Sequence, residues 1–196
     1  MANFYTADLH IGHRLIQRLR GYSSLDSMHN TMIKAWNTYV KPEDTTYILG
    51  DLSFASRDVT AAVLAQMHGR KVLIRGNHDG HSAHWYRVAG IDSLLSGYAP
   101  RPTLLMHPVL AARPVLVSHY QYRPSWLRAV YYALTGQTKL LRYYHKLPER
   151  TDLPLIHGHV HLAWRHKANQ LNVGWCVWGH PVSETNIVDI LHLEPW

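Results

Sequence analysis

The chain is almost free of cysteine. Cys176 is the single one in 196 residues, so no disulfide can form within the chain and a disulfide-stapled secreted module is excluded. A reducing, cytoplasmic setting is expected. No apolar run reaches the roughly 20 residues that a membrane-spanning helix needs, and Met1-Ala2-Asn3-Phe4 lacks the basic and apolar regions of a secretory signal. No membrane partner is expected. Internal repeats, low-complexity tracts and linkers are also missing, which argues against arrays and tethered domains. Acidic residues are scarce: 13 Asp and Glu face 20 Lys and Arg, a formal net charge of +7. That balance favours an anionic partner without naming one.

What remains is a globular composition, 46% hydrophobic, at a length that suits one domain with a sizeable core. A single domain over residues 1–196 is expected. Apolar runs at Asn3–Ala7, Thr46–Leu49, Lys71–Arg75, Val115–Val117 and Leu153–Ile156 read as strands, with a further one over Gln170–Trp175. Apolar residues at 25, 28, 32, 33, 36 and 40 have helical spacing and stop before Pro42; Asp58 to His68 forms a second helix closed by Gly69. The alternation β, α, β, α, β in the first half marks an α/β layer fold, and the second half is richer in strands. Pro100-Arg101-Pro102 reads as a turn.

Five short blocks carry the chemistry: Asp8-Leu9-His10, Gly50-Asp51, Gly76-Asn77-His78-Asp79, His119 and Gly158-His159-Val160-His161. Each follows an expected strand, and ligands at successive strand ends converge on one sheet edge. Each offers oxygen or imidazole donors of the kind that bind divalent transition metals. A pair of ions needs a bridging carboxylate, and Asp51 is the natural one. Asp8 and His10, two residues apart, can grip one ion. Asn77 adds a donor without further negative charge. In His159-Val160-His161 alternate side chains diverge, which suits service to two ions.

In this order the blocks resemble the calcineurin-like metallophosphoesterase superfamily, in a small, single-domain, bacterial or phage-type form. The resemblance implies a four-layer α-β-β-α sandwich, two mixed β-sheets flanked by helices. It implies one metal on Asp8, His10, Asp51 and His161 and a second on Asp51, Asn77, His119 and His159, with Mn²⁺ favoured and Fe, Ni or Zn also suited to the donors. A hydroxide shared by the two ions would attack phosphorus in line. His78 would act as general acid, Asp79 would orient it, and Arg75 would contact phosphate. The expected reaction is hydrolysis of phosphate esters, phosphodiesters of nucleotide or nucleic-acid type above all. A phosphomonoesterase, a nucleotide pyrophosphatase and, in another class, a catalytically silent metal-binding scaffold are the alternatives.

Other residues divide differently. His13 extends the first block and either approaches substrate or supports it from behind. His81 and His84 fit an exposed helix start, His157 packs beneath the site, and His166, His180 and His192 belong to structure or solvent. Cys176 reads as a small apolar core residue. Residues 121–150 form a basic, tyrosine-rich, cap-like insertion: from Tyr120 to Arg150 six cations (Arg123, Arg128, Lys139, Arg142, Lys146, Arg150) face one anion, Glu149. Apolar patches at Leu127, Val130, Leu134 and at Leu140, Leu141, Tyr144 suggest helix. The insertion is either a cap that binds a nucleotide or nucleic-acid strand or a packed lid with a solvated basic face.

Overall fold

A computed structural model of the chain describes residues 1–95, 103–105, 114–136 and 144–193. The expected Pro100-Arg101-Pro102 turn lies outside these residues, as do Lys139, Leu140, Leu141 and Arg142 of the basic insertion and the side chain of Arg128. The first half runs β1 (Asn3–Thr6), α1 (Arg14–Leu19), α2 (Leu25–Tyr39), β2 (Thr45–Leu49), α3 (Arg57–Leu64), β3 (Arg70–Ile74), α4 (Ala83–Val88) and β4 (Ser93–Leu95). The second half holds β5 (Thr103–Leu105), β6 (Val115–Val117), α5 (Trp126–Leu134), β7 (Leu155–His157), β8 (His166–Lys167), β9 (Gln170–Asn172), α6 (Trp175–Trp178), β10 (Val182–Ser183) and α7 (Glu184–Leu191).

The strands make two mixed five-stranded sheets, ordered β10-β1-β2-β3-β4 and β5-β6-β7-β9-β8. In the first, β1 to β4 are parallel and β10 is antiparallel; in the second, β6, β7 and β9 are parallel with antiparallel strands at both edges. Alternating side chains sort into layers. Tyr5, Leu49 and Ile74 of the first sheet meet Val115, Val117, Ile156 and Leu171 of the second in one buried cluster. Their strand neighbours Phe4, Ile48 and Leu73 point the other way, onto Met28, Met32 and Trp36 of α2, Val63 and Leu64 of α3 and Tyr86 of α4. The outer face of the second sheet carries Leu116 and Leu155, covered by Tyr122. The architecture is thus two mixed sheets flanked by helices.

Local chemistry sets the helix limits. Ser24 Oγ accepts the Ser27 N–H at the start of α2, and Ser56 does the same for α3. The helix expected through His68 stops at Leu64. Asn37 captures its continuation: Asn37 Nδ2 donates to the Gln66 carbonyl and Asn37 Oδ1 accepts the His68 N–H, both at 2.8 Å. The strand expected from Leu153 begins only at Leu155, because Pro154 has no N–H for a ladder. The strand expected through Trp175 ends at Asn172, whose Oδ1 accepts the Gly174 N–H and turns the chain into α6. The patch read as helical at Leu127, Val130 and Leu134 lies in α5, where the three residues are 65%, 43% and 81% exposed.

Trp36 is fully buried and its indole N–H donates to the His68 carbonyl. Trp36→Ala should therefore cost about 3–5 kcal/mol of unfolding free energy, read from the midpoint of urea denaturation.

Candidate metal centre

The C-terminal ends of β1, β2 and β3 in one sheet and of β6 and β7 in the other open onto the same edge, and all five blocks sit there. The sheets are stitched together at this point: Ala7, just past β1, bridges Gly174, just past β9, and the Trp175 N–H donates to the Ala7 carbonyl. The loops are held in a costly conformation. Among the described residues, seven non-glycine residues have positive φ, and five of them are Asp8 (57°), His10 (54°), Asp51 (54°), His159 (69°) and His161 (46°). Such backbone strain persists only where surrounding structure imposes it, and it gathers at functional sites.

These residues form two adjoining groups. In one, donor atoms of Asp8, His10 and His161 lie within 4.8 Å of one another. The His10 and His161 rings stack at 5.2 Å, and His10 Nε2 is 3.9 Å from both Asp8 Oδ1 and Asp51 Oδ2. In the other, His119 Nε2 is 3.0 Å from Asn77 Oδ1, 3.2 Å from His159 Nδ1 and 3.6 Å from Asp51 Oδ1. The two oxygens of Asp51 thus face different groups. The seven residues expected as ligands are all brought together.

The donors suit a cation. His119 Nδ1 lies 2.8 Å from the Leu49 carbonyl and meets it as an N–H donor, while Nε2 faces Asn77 Oδ1 and Asp51 Oδ1. Asp8 Oδ1 and both ring nitrogens of His10 are buried with no hydrogen-bond partner among the described residues. Burial holds the His10 imidazole down to about 2 and that of His159 to about 3, so both are neutral donors at ordinary pH. Burial raises the Asp8 carboxyl, only partly offset by His119 and His161. A positive ion between these groups would give Asp8 Oδ1 and one ring nitrogen of His10 a partner.

Close backbone approach is what admits the carboxylates. A Cβ on Gly158 would stand 2.6 Å from Asp8 Oδ2, and one on Gly76 would stand 2.7 Å from the Asp51 nitrogen. Asp79 braces this packing. Its carboxylate accepts the N–H groups of Asp51 (2.7 Å), Gly76 (2.8 Å) and Leu52 (3.1 Å), joining the loops after β2 and β3. No hydrogen bond joins it to the His78 ring among the described residues, so its observed work is on the backbone.

His78 stands at the mouth, 45% exposed, with its N–H on Asp51 Oδ1 at 3.0 Å and Nε2 3.9 Å from Asp51 Oδ2. His13 caps α1 by accepting the Ile16 N–H and packs its ring against His10 and Phe54. Arg75 is turned aside: its guanidinium donates to the His81 carbonyl and lies over the Tyr86 ring. His81 stacks on Trp85, and His84 lies within the first turn of α4. His157 is fully buried beneath the site against Trp164.

Three contributors escape sequence reasoning. Arg20 donates to the Asp8 carbonyl at 2.6 Å and the Leu9 carbonyl at 3.0 Å. It also reaches Cys176 Sγ at 3.3 Å, the sulfur that lies 3.3 Å from His161 Nδ1. Cys176 is therefore not an apolar core residue; it is half-buried and buttresses a ligand, with its thiol lowered, against burial, by His161 and Arg20. Phe54, 42% exposed, packs on His10, His13 and His78. Nothing in the spacing of these three residues points to the site.

No family model matches the chain. The gene 66 protein of Mycobacterium phage L5 is 30% identical over 209 residues, spanning 96% of this chain and 93% of that protein. This chain belongs to the gene 66 protein family. The gene 66 protein of Mycobacterium phage D29 is 27% identical over 188 residues, covering 89% and 88% of the two chains. Among solved structures, the protein of unknown function AQ665 from Aquifex aeolicus superposes with a TM-score of 0.65 at 23% identity, over 96% of this chain and 98% of that one. It shares the fold.

Burial pushes the His157 imidazole down to about 3, while an unfolded imidazole titrates near its usual 6.5. Between these values the unfolded chain binds the extra proton, so stability is lost as pH falls through that window. From pH 6.5 to 5 the loss from His157 should reach about 2 kcal/mol. A pH series of Tm values for His157→Asn should be flatter than wild type over this range. Separately, Asp79→Ala should cost about 3 kcal/mol or more by leaving buried N–H groups unmet, read by denaturant unfolding.

Proposed function

We propose that this chain is a dinuclear-metal-dependent phosphoesterase of the calcineurin-like metallophosphoesterase type, acting on phosphodiesters. The observation that carries the reading is the placement of Asp51, with Oδ2 toward His10 and Oδ1 toward His119. A carboxylate presented to two donor groups in this way suits a pair of cations with one shared ligand. One ion would be held by Asp8, His10, Asp51 and His161, the other by Asp51, Asn77, His119 and His159. Bound divalent ions would supply Lewis acidity toward phosphoryl oxygens and a water acidified enough to attack at neutral pH.

The protein's own groups supply the rest. His78 is exposed enough to meet substrate and close enough to Asp51 to sit beside the reacting phosphoryl group; its imidazole delivers a proton to the leaving oxygen. Its backbone N–H holds Asp51 Oδ1 and so fixes the shared carboxylate. Phe54 walls one side of the His10–His78 rim and keeps water from it. Arg20 and Cys176 orient Asp8 and His161 through the Asp8 carbonyl and the His161 ring. The preference for diesters rests on the basic, cap-like segment beside the site, which suits an anionic substrate with a group on either side of phosphorus.

Purified protein should hydrolyse a chromogenic diester with Mn²⁺, stop on chelation and recover on metal return. Asp51→Asn should reduce turnover to background and lower the bound metal measured by elemental analysis; activity surviving that change contradicts the shared-ligand role. His78→Gln should lower kcat by about 10²- to 10⁴-fold with two ions still bound. Loss of metal in that variant would make His78 a ligand instead of an acid.

A further inference from the structure

The helix α5 is out of place in water. Its sequence, Trp126-Leu127-Arg128-Ala129-Val130-Tyr131-Tyr132-Ala133-Leu134, is apolar or aromatic at every position but one, yet none of its described side chains is buried. A helix this apolar is ordinarily a core helix. Trp126, Leu127, Val130, Tyr131 and Leu134 stand at positions i, i+1, i+4, i+5 and i+8, which share one face. Trp126 and Tyr131 are 68% and 57% exposed, so the aromatic residues of this stripe are as open as its aliphatic ones. Tyr132, on another face, lines a cavity with Arg123, Arg150 and Lys167, so the stripe looks away from that wall. The root of the helix is anchored: Tyr122 and Leu147 are buried, and the Arg123 N–H donates to the Pro148 carbonyl at 2.8 Å.

We propose that α5 docks on an anionic lipid bilayer, lying in the plane of its surface. Cations accompany the stripe: residues 120–150 carry six Lys and Arg against Glu149 alone, and the one charged residue of the helix itself is Arg128. A convex face of mixed aromatic and aliphatic side chains, flanked by cations, matches the boundary between acyl chains and anionic headgroups. Trp and Tyr settle at headgroup level, with Leu and Val deeper. Other occupants fit less well. A second copy of the chain would set two cationic segments against each other. A nucleic-acid strand would meet the cations but give Leu127, Val130 and Leu134 nothing to pack on, since bases stack on aromatic rings. No described helix is long and apolar enough to cross a membrane, so the contact is with the surface alone. It replaces the expectation of no membrane partner, which rested on the lack of a spanning run. It does not depend on the phosphoesterase reading.

Co-sedimentation of the full chain with lipid vesicles tests the proposal. Phosphatidylcholine vesicles carrying about one-third phosphatidylglycerol should bind the protein at least about tenfold more tightly than pure phosphatidylcholine vesicles, and added salt should weaken the binding. Leu127→Glu combined with Leu134→Glu should lower that affinity at least about tenfold with Tm unchanged, since both side chains are exposed. Arg150→Gln should lower it about fivefold. Equal binding to the two vesicle types, or a folded double variant that binds as wild type does, overturns the proposal. So does a wild-type dimer in sedimentation velocity that the double variant splits, which would make the stripe a contact between copies. If the double variant unfolds, Trp126→Ser decides in the same assay: undiminished binding overturns the proposal, and reduced binding supports it.

Discussion

At the centre of this molecule, carboxylates and imidazoles are crowded together out of water. Asp8 and Asp51 are buried side by side, His119 Nε2 faces Asn77 Oδ1 at 3.0 Å, and His10 has both nitrogens buried without partners. Such an arrangement is unfavourable by itself, since like charges repel and desolvated acceptors lose their water. A positive charge placed among them would offset that cost. The rest of the structure can be understood as the framework that holds these acceptors together despite that cost.

That framework is built from backbone. Asp79 locks the loops after β2 and β3 through three N–H groups, and the Asp8 carboxylate takes the His159 N–H from a position 151 residues away. Left-handed φ angles occur at five of the candidate ligands, just past strands that end at the same level. The core shared by both sheets sets the distance between ligands drawn from β1 and β2 and those drawn from β6 and β7. Site geometry is therefore a property of how two sheets pack, not of any single loop.

Much of this was legible in the sequence because strand-end ligands come as compact blocks: Asp8-x-His10, Gly50-Asp51, Gly76-Asn77 and His159-x-His161 could be read with their strands, and the structure brings them to one edge. The two-sheet layering was expected from the family resemblance; the alternation marked only an α/β layer fold. Contributors that act through long-range contact were not legible. Arg20 lies in a short helical stretch with an ordinary surface pattern and Cys176 looks apolar, yet the fold sets them 3.3 Å apart. Asp79 was read by its neighbour His78, whereas its carboxylate turns toward backbone amides. Helix and strand ends moved where one side chain, Asn37 or Asn172, intercepted the next peptide group.

The glycines behind the carboxylates carry a consequence for how such a chain can diversify. With Gly158 pressed on Asp8 and Gly76 on Asp51, no larger residue fits and no new side chain can be introduced from behind. The inner machinery is closed to tinkering. Change is better accommodated around the cavity that His159 lines, where an exchanged residue meets space instead of a packed main chain.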